Sequence, residues 1–157
     1  MIKESTIQAL IDETIEGTDI FLVDMKISGG NKISVLVDAI GGLPITDCMK
    51  VSRGIEHNMD REDEDFSLDV SSPGLDKPFK VFRQYEKNID RSIRITLEEN
   101  GVFDTKILGV NEETQKINLE IEQIITNNDF LEGKKKGDNL EMSQDEIIEA
   151  KINISFK

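Results

Sequence analysis

Pro73 and Pro78 bracket Gly74 in the run "DVSSPGLDKPFK", Asp69 to Lys80. Each proline removes a backbone donor and fixes φ, so neither a helix nor a central strand can pass through the middle of this 157-residue chain. The apolar pattern also changes there. Before the run, helix-period and strand-period segments alternate; after it, short alternating runs dominate. Pro-Gly at 73–74 suits a type II turn with Gly74 at positive φ, and Pro78 stiffens the exit. The run reads as a joint, residues 73–78, between an α/β unit of residues 1–72 and a β-rich unit of residues 79–157.

In the first unit, Ile2, Ile7, Leu10, Ile11 and Ile15 recur at helical spacing, and Gly17 ends that helix. "DIFLVDMKI" alternates through Phe21, Val23, Met25 and Ile27, and "KISVLVDAI" through Ile33, Val35 and Val37, with a turn at "SGGN" between them. Thr46 can cap a second helix, with Asp47 in its first turn and Cys48, Val51, Ile55 and Met59 as its apolar stripe. "FSLDV" then supplies a third strand. The order α-β-β-α-β predicts a three-stranded sheet with both helices on one face, a KH-like sandwich. A KH domain grips nucleic-acid backbone with a G-x-x-G loop, and no two glycines here are three apart.

In the second unit, Phe79, Phe82 and Tyr85 suggest a short helix, followed by strands in "SIRITL", "VFDTKILGV" and "KINLEIEQII". "TNNDFLEGKKKGDNLE" is polar. "SQDEIIEA" carries the capping box Ser143 and Glu146 of a short helix, and "KINISF" alternates as a last strand. Short strands with tight turns predict a small β-barrel. The whole is α+β.

Charge narrows the function classes. The formal net charge is −13. Residues 1–72 hold six basic and fifteen acidic residues, net −9; residues 73–157 hold thirteen and seventeen, net −4. Such a field favours a basic partner. One local run opposes it: Lys77, Lys80, Arg83, Lys87, Arg91 and Arg94, against Glu86 and Asp90, give +4. That clustering is the footprint of phosphate contact. Lys134, Lys135 and Lys136 make a second basic spot. The acidic run Glu62, Asp63, Glu64 and Asp65 reads as a solvated loop able to face a basic client; it lacks a calcium loop's glycine and terminal Glu.

Catalysis finds no footing. Ser71 and Ser72 lack the G-x-S-x-G frame, and neither phosphate-loop motif occurs in the chain. The lone His57 is nine positions from the lone Cys48, about two and a half helical turns, so the two cannot pair within one helix. One cysteine forms no internal disulfide and suits a reducing cytoplasm. No signal peptide is expected from "MIKESTIQAL", and no apolar run approaches the ~20 residues of a membrane span.

"DCMKVSRGIEHNMDRED" and "FSLDVSSPGLDKPFKVFRQYEKNIDRSIRI" resemble the bacterial ribosome maturation factor RimP family. Asp47, Cys48, Ser52 and Arg53 match its D-C-x-x-x-S-R pattern, and Val70 to Asp76 its V-S-S-P-G-L-D. The likeness covers nearly the whole chain. It implies an α/β N-terminal domain and an SH3-like (Sm-like) barrel. It also implies a cytoplasmic, non-enzymatic, cofactor-free factor for small-subunit assembly. Such a factor binds the pre-subunit and a basic small-subunit ribosomal protein, the twelfth in the usual naming, with ribosomal RNA as a further contact. Ser71, Ser72, Gly74, Asp76 and the six basic residues from Lys77 to Arg94 are the candidate partner-binding set. Two positions depart from the family: Lys77, where Arg is usual, and Phe79, where Leu is usual. Lysine keeps the charge but loses the bidentate fork.

Overall fold

A computed structural model describes residues 2–59, 65–74 and 76–153. The chain divides into two compact units, residues 1–73 and 74–157.

The first unit runs α1 (Glu4–Ile15), β1 (Ile20–Ser28), β2 (Lys32–Ala39), α2 (Ile45–Glu56) and β3 (Ser67–Ser71). Its sheet has the order β1-β2-β3, with β1 antiparallel and β3 parallel to β2. Ile7 and Ile11 of α1 and Val51 and Ile55 of α2 pack on Ile33, Val35 and Val37 of β2, so both helices cover one face. Each such side chain, buried whole, contributes about 1.5–3 kcal/mol. Gly54 permits the helices' close approach: a Cβ there would lie 2.7 Å from both Cγ2 and Oγ1 of Thr14.

Two local expectations are corrected. The strand β1 does not alternate cleanly through Phe21 and Val23. Its register slips between Leu22 and Asp24, a bulge at Val23. The residues packed with the helices are therefore Ile20, Leu22, Met25 and Ile27, because the extra residue reverses the side-chain phase; Phe21 and Val23 are buried as well, outside that cluster. Thr46 does not cap α2 either. The helix begins at Ile45, with extended Pro44 before it and no side-chain cap. The Pro44 carbonyl accepts from the N–H groups of Asp47 and Cys48, at 3.0 and 3.4 Å.

The second unit contains α3 (Phe82–Lys87), β4 (Ser92–Thr96), β5 (Val102–Asn111), β6 (Lys116–Thr126), β7 (Asn139–Ser143) and β8 (Glu149–Ile152). The strands form one antiparallel sheet in the order β7-β6-β5-β4-β8. Three register shifts break the β5–β6 ladder, and bulges of this kind bend a sheet. Ile93, Ile95, Phe103, Ile107, Ile117, Leu119 and Ile121 of the sheet form one buried cluster with Phe82 and Tyr85 of α3. Among the described residues β7 and β8 are the two edges and do not pair with each other, so the closed barrel expected from the sequence is not found.

The helix α3 starts at Phe82, not at Phe79. The Gln84 Oε1 reaches back to accept from the N–H groups of Lys80 and Val81. Phe79, left outside, packs edge-on against Tyr85 with centroids 5.0 Å apart. The expected helix in "SQDEIIEA" is one 3-10 turn, Gln144–Glu146, with its capping box formed by Ser143 and Glu146. The strand β7 opens inside the polar stretch, where none was expected. Of "KINISF", Lys151 and Ile152 complete β8 as the expected last strand, Asn153 follows it, and the rest lies outside the described residues. Among those described, no helix is long and apolar enough to cross a membrane.

Candidate partner-binding surfaces

The joint does not adopt the expected type II turn. Gly74 is not among the positive-φ residues. A turn closes two residues later, with the Lys77 N–H donating to the Gly74 carbonyl at 3.1 Å. A Cβ at 74 would lie 2.7 Å from the Asp76 carboxylate, whose exposed side chain would have to turn aside. Ser71 ends β3 half-buried, whereas Ser72, Gly74, Asp76 and Lys77 are exposed. Beyond the joint, the Phe79 N–H donates to the Ala150 carbonyl of β8 at 2.8 Å.

The six basic candidates are not one uniform patch. Lys80 is exposed, and its carbonyl accepts from Gln144 Nε2 at 3.0 Å. On α3 the buried side is Phe82, Gln84 and Tyr85, so Arg83, Glu86 and Lys87 lie toward the other side. The Arg83 Nε stands 3.6 Å from Glu86 Oε1. The Glu86 carboxyl is pushed above its ordinary pKa by burial and by contact with Glu112, against the opposing pull of Arg83. Arg91 is exposed and donates weakly to Asn88 Oδ1 at 3.4 Å.

Arg94 differs in kind. Its Nε and Nη2 donate to Asp104 Oδ1 and Oδ2 at 2.8 and 3.1 Å, a bidentate pair. That contact holds the guanidinium's pKa up. Across the sheet Arg94 pairs with Lys151 as well as with Asp104. Arg94, Lys151 and Asp76 line one open cleft of about 310 Å³ with Glu149 and Asn153. The structure therefore brings Asp76 and Arg94 to one place and adds Lys151, which sequence reasoning missed. The β4–β8 pairing that does so spans more than fifty residues and leaves no local trace.

Of the acidic candidates, Asp65 is exposed, and Glu62, Asp63 and Glu64 lie outside the described residues. In the second basic spot, the Lys134 Nζ donates to the Phe130 carbonyl at 2.6 Å and sits 4.4 Å from the Phe130 ring centroid. Cys48 is half-buried, and burial and then Asp47 and Asp38 push its thiol pKa up, the reverse of what a nucleophile needs. His57 lies exposed just past α2. Among the described residues no group of three or more His, Cys, Asp or Glu side chains could hold a metal ion.

The RimP N-terminal domain family matches residues 7–76. A ribosome maturation factor RimP from Christiangramia forsetii is 35% identical over 164 residues, covering 99% of this chain and 100% of that protein. One from Porphyromonas gingivalis is 36% identical over 120 residues, covering 76% and 78%. One from Flavobacterium psychrophilum is 41% identical over 93 residues, covering 59% and 60%.

Proposed function

The chain belongs to the RimP family, and from that premise we propose that it is a non-enzymatic ribosome maturation factor acting in small-subunit assembly. It binds the small-subunit precursor and a basic small-subunit ribosomal protein in the cytoplasm, without a cofactor. The single observation that carries this reading is the end-to-end similarity to a relative named as a ribosome maturation factor. The charge supports it, since a −13 chain attracts a basic client at long range. In this reading residues 1–72 are a KH-like domain without the G-x-x-G loop, 73–78 a joint, and 79–157 an SH3-like barrel whose sheet is the bent five-stranded one. Acidic surface holds the client transiently while Ser71, Ser72, Gly74, Asp76 and the 77–94 cations meet the precursor.

A pull-down from a small-subunit assembly extract tests it, using wild type and the Lys77→Glu/Arg83→Glu variant. Wild type recovers precursor particles and the variant recovers fewer. Equal recovery removes the basic residues from the mechanism, and no recovery by either removes the function. Complex formation also weakens as salt rises, because exposed charges are screened.

The exposed Lys77, Lys80 and Arg91 favour a second reading, direct binding of ribosomal RNA. It requires gel shifts with naked ribosomal RNA at low salt and a log-affinity slope set by the phosphates neutralised. Absence of a shift eliminates it.

A further inference from the structure

Three loops of the second unit meet at an open cleft of about 480 Å³. They are the Glu98–Asn100 turn after β4, the 128–131 turn after β6, and the Gln144–Glu146 turn after β7. The cleft's floor is apolar: Leu97 and Met142 are almost wholly buried there. Its apolar walls face water, with Phe130 40% and Ile148 62% exposed. Around them stand the carboxylates of Glu98, Glu99, Asp129, Asp145 and Glu146.

The loops are held by their own bonds, so the cleft is built before any partner arrives. The Asn128 side chain donates to the Glu98 carbonyl at 2.8 Å and accepts from the Leu131 N–H at 2.9 Å, joining two of them. In the third, Glu146 Oε1 accepts from the Ser143 N–H and hydroxyl, both at 3.0 Å, and Asp145 accepts from the same hydroxyl. Those bonds keep the Asp145 and Glu146 carboxyls below their ordinary pKa. Two cations act nearby: Lys116 on Asp145 and Glu146, and Lys134 on the Phe130 ring. Two against five leaves the rim strongly negative. It repels phosphate, which argues against RNA and anionic lipid.

We propose that this cleft docks an extended Lys/Arg-rich segment of a partner protein, with one apolar side chain of that segment seated on Leu97 and Met142 between Phe130 and Ile148. Both halves of the site are needed. Exposed ion pairs are individually weak and salt-screened, so charge brings the segment in and sets its register. The apolar anchor supplies the desolvated contact that holds it. The Phe130 ring already accepts one cation on its face, the chemistry a second basic side chain would use. The proposal rests on the reading of the chain as the holder of a basic client, and locates that holding in the second unit.

The test uses the full chain and two fluorescein-labelled synthetic peptides, Lys-Arg-Leu-Lys-Arg and Lys-Arg-Ser-Lys-Arg, by fluorescence anisotropy at low salt. The Glu98→Gln/Glu99→Gln/Asp129→Asn variant binds the leucine peptide about ten-fold more weakly than wild type, three screened contacts each contributing a factor of about two. Wild type prefers the leucine peptide to the serine peptide about five-fold, and Ile148→Ser abolishes that preference; circular dichroism confirms that both variants fold. Equal binding by wild type and the triple variant, or no preference for leucine, overturns the proposal. So does sedimentation showing a wild-type dimer that the triple variant loses, since the occupant would then be the Lys134–Lys136 loop of a second copy. Capture of basic ribosomal proteins separates the two readings. If wild type captures one and the triple variant captures as much, only the cleft falls. If wild type captures none while the peptide results hold, the client reading falls and the cleft stands.

Discussion

Removing Arg94 should cost more than removing its partner. The Asp104 side chain is 9% exposed and the Arg94 side chain 49%. In Arg94→Ala, the shielded carboxylate loses both guanidinium donors and water reaches it poorly. In Asp104→Ala, the guanidinium can turn toward solvent. Exposed ion pairs are worth about 0–1 kcal/mol, while stranding a fully buried charge costs about 3–5 kcal/mol. Asp104 stands near the second limit and Arg94 near the first, so Arg94→Ala should cost about 2 kcal/mol and Asp104→Ala about 1 kcal/mol. Arg94→Lys keeps the charge but loses the fork, and should cost about 1 kcal/mol. Urea denaturation of the two single variants and the double variant gives the coupling, expected at about 1–2 kcal/mol. Arg94→Ala within about 0.5 kcal/mol of wild type, or Asp104→Ala the costlier of the two, would refute this reasoning. The result also bears on function. If Arg94 is a structural clamp, its loss weakens partner binding through folding, and Lys77, Lys80 and Arg91 become the cleaner probes.

Two glycines, Gly54 and Gly101, test close packing. Gly54→Ala gains about 1 kcal/mol of helix propensity but forces α1 from α2 at a cost of about 1–3 kcal/mol, so thermal unfolding should show net loss. In a Thr14→Ala background the same change should stabilise; persistent loss there would show that Thr14 is not the obstacle. Gly101→Ala drives a methyl into the Asn128 carboxamide, which two hydrogen bonds hold, and should cost about 1–3 kcal/mol in urea. A neutral result would mean that Asn128 can move aside. Glu86 predicts a pH effect. Its folded pKa is raised, so the folded state binds a proton more readily than the unfolded chain. The resulting stabilisation is present at low pH and is lost as pH rises from the ordinary carboxylate range through the raised value. Glu86→Gln should flatten that slope in urea midpoints across the window, and parallel profiles would show that Glu86 does not produce it.

Much of the first unit was legible because its helices and strands carry their own period. Ile7 and Ile11, Ile33 to Val37, and Val51 with Ile55 all reach the core they were expected to reach. The exceptions came from neighbours, not from period. Val23 is buried as expected, but β2 pairs around it, and the bulge there brings Leu22 to the helix-covered core beside Ile20. Asn139–Ser143 carries only Leu140 and Met142 as large apolar residues, too little to announce a strand, and becomes β7 because β6 offers an edge. Thr46 is a good cap in isolation, but Pro44 reaches the helix start first.

The same distinction decides what could be read of the binding surfaces. A run of cations is visible in one dimension, so Lys77 to Arg94 stood out at once. The acids that act on that stretch are not: Asp104 reaches Arg94 through the β4–β5 ladder, and Glu112 reaches Glu86 from beyond β5. The acidic cleft is the converse case. Glu98, Asp129 and Asp145 lie on three separated loops, each unremarkable in a chain with 32 acidic residues, and only the sheet that joins the loop ends makes them one surface. In a strongly acidic protein the informative quantity is therefore not where acid is dense along the chain, but where acid surrounds exposed apolar side chains. By that criterion, among the described residues, the second unit, at −4 the less acidic of the two, carries the surface on which the proposed docking of a basic segment rests.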